Sequence, residues 1–365
     1  MSYFCLKLRC VKGFGLIEVM VGLLIGAIAV VTMLQVYSFS EGQKRTISGG
    51  VDAQTNVTIA VHNLKRDIGQ SGYGIIATNL IGCDILLRTG VTLSAMAPVT
   101  INHASIPAGD ANTDTLLIVY GTSAGSPEGE GIIGQPQTNM YSVSTLSSFA
   151  SGENVIAVPL LRPTNCTGYV LTMVTRSAPP FLTVITGVAF MTNGRLFNLG
   201  LSPTIQAYAV RNRNLTVCNY LANNCGNAAL KGDATVWVPI VTNIVGFRVQ
   251  YGRDTSNPMD AIVDQYDQTT PASVCDWFRI SALRLAVVAA SNNYEKTAVT
   301  AAAPIWEGSM ADTVSSPSNP TAVAIDLAKN PDGSANTTWQ NYRYSLAQTV
   351  VPIRNITWAG VPPGC

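Results

Sequence analysis

Hydrophobic and polar positions change rhythm twice along the chain. From Phe14 to Leu34, 21 residues run with Glu18 as the only charge. At 1.5 Å per residue such a helix is about 30 Å long, the thickness of a bilayer's hydrocarbon core. Farther on, Val57, Val61, Leu64 and Ile68 fall at i, i+4, i+7 and i+11, with Asn, Lys, Arg and Asp between them. That spacing predicts a helix with one core-facing stripe and a polar opposite face. Unbroken from Phe14 to about Gln70 it would measure roughly 85 Å. Gly49-Gly50 is its expected weak point, because glycine lowers helix propensity.

After Gly72 the helical period gives way to short β-branched or aromatic runs between turn signals: "TLLIVY", "NVIAVPL", "YVLTMVT", "FLTVITGVAF", "TIQAYAV", "ATVWVPI" and "IVGFRVQY". These predict antiparallel strands. Phe278 to Ser291 fits helix or strand, and in Tyr342 to Trp358 the β-branched content and Pro352 favour strand. Gly121 to Thr138 and Ser315 to Thr338, rich in Gly, Ser, Pro and Asn, are expected surface loops. The predicted class is α+β: a long N-terminal transmembrane and amphipathic helix packed on an antiparallel β-rich head.

Composition changes the picture in two ways. Of 365 residues only 12% are charged and the net charge is +1, so no basic field argues for direct nucleic-acid binding. The eight cysteines include Cys5 and Cys10 near the start, followed by Cys83, Cys166, Cys218, Cys225, Cys275 and Cys365. Six cysteines in an exported domain fit disulfides in any of fifteen connectivities, with buried free thiols as the alternative. Proximity suggests only Cys218 with Cys225.

The residues before the apolar run include Lys7, Arg9 and Lys12 and no acid. The positive-inside rule therefore keeps the N-terminus in the cytoplasm and sends the rest across. No A-x-A-like site follows Leu34 closely, so the span is expected to be retained. Glu18 is the anomaly, because an acid in a membrane helix is costly and needs a partner. One reading is solvation near the interface. The other follows from a cut between Gly13 and Phe14, which would leave an α-amino group able to neutralise the glutamate of an adjacent subunit.

Lys12-Gly13 followed by Phe14-Gly15-Leu16-Ile17-Glu18 and a long apolar helix resembles the class III signal of type IV prepilins. The resemblance implies that a prepilin peptidase cuts after Gly13 and N-methylates Phe14, and that Glu18 guides insertion into a filament. Gly15 stands where many pilins carry threonine or serine, and Gln35 where major pilins often carry proline, which suits a minor pilin. "LKRDIGQSGYGI" (Leu64 to Ile75), "DTLLIVYG" (Asp114 to Gly121), "VGFRVQYG" (Val245 to Gly252) and "YRYSLAQTVVPIRN" (Tyr342 to Asn355) are similar, in that order, to the PilW family of minor pilins. The J-type minor pseudopilin of type II secretion shares the architecture and is the alternative.

The resemblance implies a leader (1–13), a transmembrane helix (14–36), an amphipathic extension (37–71) and a periplasmic β-rich head (72–365). It also implies inner-membrane insertion, a place near the tip of a type IV pilus, and partners that are other minor pilins, the major pilin and a tip adhesin. Gly22 and Gly26, spaced as G-x-x-x-G, allow close helix approach in a bundle.

Catalytic motifs are weak. Gly121-Thr122-Ser123-Ala124-Gly125 matches a nucleophile elbow, but turn residues follow it. Both histidines, His62 and His103, precede Ser123, so the order Ser, acid, His is not met. Gly129 to Gly134 matches G-x-G-x-x-G without the flanking strand and helix, and reads as a loop. Asp260, Asp264 and Asp267 at i, i+4 and i+7 could gather oxygens for calcium, although a solvated polar face is the commoner meaning. No enzyme, cofactor or metal is expected.

Overall fold

The computed structural model describes residues 15–365; Gly13 and Phe14 lie outside them. The chain divides into two compact units, one ending at Gly49 and one spanning Gly50–Cys365. One helix, α1 (Leu16–Gln70), carries residues of both. No proline precedes Pro98, and the helix passes through Gly49-Gly50 instead of breaking there. Two glycines cost about 2 kcal/mol of propensity, which the remaining helix formers outweigh.

α1 stops at Gly72, whose φ of +85° belongs to the left-handed region. A Cβ there would lie 2.7 Å from Ile76 Cδ1. The Gly72 N–H leaves the helix and donates to Val119 O at 2.8 Å. Asn355 Nδ2 donates to the last carbonyls, Gln70 O (3.1 Å) and Ser71 O (2.9 Å). The helix end is thus satisfied from two distant parts of the chain.

The strands follow in chain order: β1 (Cys83–Arg88), β2 (Val91–Met96), β3 (Val99–Ile101), β4 (Thr115–Tyr120), β5 (Glu130–Gln137), β6 (Met140–Val143), β7 (Asn154–Val158), β8 (Tyr169–Ala178) and β9 (Phe181–Val184). Then come β10 (Arg195–Gly200), β11 (Thr204–Arg211), β12 (Asn214–Asn219), β13 (Val238–Thr242), β14 (Ile244–Arg253), β15 (Gln265–Asp267), α2 (Val274–Phe278), β16 (Ile280–Ala290), β17 (Tyr344–Pro352) and α3 (Arg354–Ala359). They make three sheets. The first runs β2-β1-β8-β7-β10-β5-β6-β9 and closes because β9 also pairs with β8. The second runs β13-β12-β11-β4-β3 and the third β15-β14-β16-β17. Only β1 with β8 is a parallel pair among the named strands.

Alternation assigns each side of a strand to a different core. In β4, Leu116, Ile118 and Tyr120 join the stripe Ala53, Val57, Ala60, Leu64 and Ile68 of α1, while Leu117 and Val119 face the first sheet. In β16 every residue is buried. Leu283, Leu285 and Val287 face the α1 side, and Ala286 and Val288 face Trp306, Val323, Ile325 and Leu327. The closed part of the first sheet fills its interior with residues such as Tyr141, Phe149, Val174 and Leu196.

Several expectations are resolved or corrected by the fold. Phe278 to Ser291 is strand, since a strand covered on both faces reads as a continuous apolar run. In Tyr342 to Trp358 the strand stops at Pro352, and a helical turn follows from Arg354. The segment Gly121 to Thr138 contains β5, so most of the G-x-G-x-x-G match is strand. Ser315 to Thr338 is irregular, yet its Val323, Ile325 and Leu327 are buried as the outer cover of the third sheet. "FLTVITGVAF" is strand only over Phe181–Val184, and "ATVWVPI" starts its strand at Val238 after a turn that buries Val236 and Trp237.

Candidate functional site

The first unit carries an uncharged helical stretch from Val19 to Ser40, with Glu18 before it and Glu41 after it. All its side chains are exposed among the described residues, including Leu23, Ile25, Met33 and Phe39. So large an apolar surface on a charge-free helix marks a membrane or a protein partner as its environment. The helix is long and apolar enough to cross a membrane. Two of its hydroxyls are satisfied locally: Thr32 Oγ1 donates to Ala29 O and Ser38 Oγ to Gln35 O, both at 2.9 Å. Such back-bonding removes the cost of an unpaired hydroxyl in hydrocarbon.

Glu18 sits in the first turn, exposed, with Oε2 at 3.4 Å from the Gly15 N–H that donates to it. A carboxylate at a helix N-terminus is favoured by the unpaired backbone N–H groups there. The carboxylate is exposed in the first turn of the helix. At Gly22 and Gly26 an added Cβ would meet nothing within 4 Å. The same holds at Gly15, immediately before this helix, and at Gly42 and Gly50 along it.

The second unit seats the other half of α1. Three stripe residues, Val57, Leu64 and Ile68, are buried, Val61 is partly buried, and His62 lies exposed on the polar face. Asp67, read in the sequence as part of that polar face, is instead 1% exposed. It faces the second sheet: Tyr208 OH donates to Oδ2, Tyr120 OH donates to Oδ1 at 3.4 Å, and Arg66 Nε pairs with Oδ1 at 2.9 Å. Burial, followed by the bond to Asp67 and its charge, pushes the Tyr208 hydroxyl well above the ordinary phenol range. Tyr208 therefore stays a neutral donor at any physiological pH. This carboxylate pins helix to sheet, and its one sequence signal is its place next to stripe residue Ile68.

Other buried phenols behave alike. Tyr251 is raised by desolvation, and Tyr220 and Tyr344 are each pushed up to about 12 by desolvation. Above about pH 10 the unfolded chain releases phenol protons that the folded head retains. The unfolded state then binds fewer protons, so stability falls with rising pH. This contribution is fully present below pH 10 and is lost as pH climbs through about 12. Thermal melting of the detergent-solubilised protein should be insensitive to these groups up to about pH 9.5 and fall above it. Tyr208→Phe should lower the melting point at neutral pH and flatten the alkaline fall.

The remaining candidate residues are scattered. Ser123 is buried, and its Oγ accepts the Gly125 N–H at 2.9 Å in a local turn with no helix behind it. His103 is buried, with Nε2 at 2.7 Å from Ser94 O and Nδ1 accepting the Ser105 N–H; burial lowers its pKa. The three aspartates serve separate ends. Asp260 Oδ1 accepts the Ile262 N–H, Asp264 Oδ2 accepts from Thr255 and Ser256, and Asp267 pairs with Arg253 at 2.8 Å. No helix carries them, so the i, i+4, i+7 spacing does not bring their oxygens together.

The cysteines pair as Cys83 with Cys166, Cys218 with Cys225 and Cys275 with Cys365. Cys218 and Cys225 bridge Asn219 to Asn224, with Cα atoms 5.8 Å apart. The Cys275 to Cys365 link ties the C-terminal residue to α2. Beside it lies a groove of about 610 Å³ lined by Tyr73, Ile76, Leu160, Phe278, Trp358 and Pro362. Sequence pattern did not reveal it, because its walls come from six separate segments.

A family model described as Type IV Pilus-assembly protein W matches residues 207–355, the part that contains β14, β16 and β17. A second, the prokaryotic N-terminal methylation motif, matches residues 8–34, including Gly13, Phe14 and Glu18. Among solved structures the chain is similar to a type IV-like pilin from Thermus thermophilus at 12% identity and a TM-score of 0.33, covering 83% of this chain and 97% of that one. No curated protein matches.

Proposed function

From the premise of a type IV pilin-like chain with a PilW segment and a prepilin motif, we propose a minor pilin that takes part in initiating and assembling a type IV pilus. A prepilin peptidase cuts between Gly13 and Phe14. The helix from residue 14 to about 36 is held in the inner membrane, with the head in the periplasm. Glu18 then recruits the free amine of a neighbouring pilin, and Gly22 and Gly26 let the two helices approach. The head, with its 37–71 extension, chooses the other minor pilins, the major pilin and the tip adhesin beside it, which places it near the fibre tip.

The observation that carries this reading is the joining of two features in one helix. Its N-terminal half is uncharged and exposed after a single acid at Glu18, and its C-terminal half is seated in a β-rich head through Leu64, Asp67 and Ile68. An enzyme would need a convergent set of reactive side chains, and Ser123, His103 and the three aspartates are each engaged elsewhere.

Fractionation separates the pilus from the secretion reading. Sheared surface fibres should contain the processed chain in small amounts relative to the major pilin, and its deletion should reduce fibre number while protein secretion continues. Normal fibres together with a block in the release of exported proteins would assign the chain to a type II secretion filament instead.

A further inference from the structure

The sheet edges of the head are guarded, with one exception. The first sheet closes β9 onto β8, and its other edge strand, β2, has two register shifts against β1. β3 has three residues, all buried. β13 carries Pro239 and a register shift against β12. β15 has three residues, and beyond it Tyr266 N donates to Ser318 O. Short, bulged or proline-bearing edges are the usual protections against unwanted strand pairing.

β17 has none of these over most of its length. It pairs with β16 over nine consecutive positions without a bulge. Its sequence, Tyr-Ser-Leu-Ala-Gln-Thr-Val-Val-Pro, contains no charge, and proline appears only at its end. Among the described residues, no backbone hydrogen bond leaves Tyr344–Pro352 toward anything but β16. In an antiparallel strand alternate residues point their N–H and C=O outward, so about four outward N–H groups are open to a partner. β16 is buried throughout, whereas only Val351 is buried in β17.

The face on the α1 side of this edge is mainly apolar, while the other face is mixed: Val350 opposes Arg284, whose Nη1 lies 3.6 Å from Glu307 Oε2, and Gln348 Oε1 accepts the Glu307 N–H at 3.0 Å. Ala347, Thr349 and Val351 oppose Val287, Leu285 and Leu283 on the α1 side. Leu346 and Gln348 oppose Val288 and Ala286 on the side covered by Trp306. A strand added outside β17 would extend two existing cores while filling its hydrogen bonds.

We propose that β17 is a strand-addition site, and that its occupant is an extended, uncharged segment of about nine residues from a different filament subunit, with alternating apolar side chains. The choice of a different subunit rests on the minor-pilin reading. Two β17 edges pairing with each other would form a two-fold dimer that consumes both edges, whereas a growing filament needs unlike surfaces in contact. Such an edge would select neighbours by side-chain pattern as well as by backbone bonding.

The test uses the full chain in its own cells, with a photocross-linking amino acid at Val350, which is 42% exposed. Cross-linked peptides should map to one extended segment of another filament subunit. Adding Gln348→Lys, which puts a charge on the open edge and also removes the acceptor of the Glu307 N–H, should lower that yield about tenfold, whereas Gln348→Ala, which removes the acceptor alone, should leave the yield unchanged. Cross-links confined to the chain's own 300–307 segment, to β17 of a second copy, or scattered over unrelated proteins would overturn the proposal, as would a yield unchanged by Gln348→Lys. A single extended segment belonging to a secretion filament would uphold the edge and overturn the pilus reading.

Discussion

Replacing Glu18 by glutamine is expected to leave the chain cut and folded but to reduce its share in fibres about a hundredfold. In the proposed pairing, the Phe14 amine of one subunit meets the Glu18 carboxylate of another inside the membrane. Removing the carboxylate leaves a cation unpaired in apolar surroundings, at a cost of about 2.5–3.5 kcal/mol. Each 1.4 kcal/mol is a factor of ten in an equilibrium. No second acid can substitute, because the next one is Glu41, more than six turns farther along α1. Glutamine keeps the shape and the hydrogen-bonding capacity, so a deficit would report the charge itself. Quantitative immunoblots of sheared fibres and membranes measure it, and equal fibre content of wild type and Glu18→Gln would refute the pairing.

Leu64→Ala is the substitution expected to weaken the head most. Leu64 is fully buried in the middle of the α1 stripe, against a core built from the second and third sheets. Leucine-to-alanine changes in such positions cost about 2–5 kcal/mol, most where the walls cannot collapse. Here the opposing walls are strands hydrogen-bonded on both sides, among them β4, β11 and β14. For a domain of about 300 residues, roughly 3 kcal/mol corresponds to a drop in melting temperature of about 4–5 °C. Lys65→Ala, on the exposed neighbour, should move melting by less than about 2 °C. A Leu64→Ala melt within that same range would mean that α1 is not seated through its stripe.

The long helix was legible because both its halves follow simple rules, one apolar throughout and the other striped at i, i+4, i+7. Asp67 escaped the rule. A pattern of residue types places an aspartate among solvated groups, and only the fold reveals two tyrosine hydroxyls waiting for it. β14, β11 and β4 stood out through β-branched and aromatic residues. β1, β10 and β12 mix charged or amide residues with apolar ones over six positions each, too short for alternation to register. The closure of the first sheet depends on β9 pairing with β6 and on β10 pairing with both β7 and β5, relations between strands far apart in sequence that no local period encodes.

The same limit applies to the cysteines. Nearness suggested Cys218 with Cys225, while Cys83 with Cys166 and Cys275 with Cys365 span 83 and 90 residues. At the N-terminus the reverse holds. Gly13, Phe14 and Glu18 were legible as a motif in the sequence, and the structure contributes the exposed, uncharged helix that follows them. The open edge at β17 combines both sources: its lack of charge is in the sequence, and its position at the end of a sheet is not.

Mass analysis of the N-terminus decides whether this chain is a processed pilin subunit. The protein is purified from membranes of cells with and without their prepilin peptidase. A peptide beginning at N-methylated Phe14 is expected only when the peptidase is present, and the intact leader when it is absent. An N-terminus at Met1 in both strains would contradict it and leave Glu18 as an acid in a plain membrane anchor.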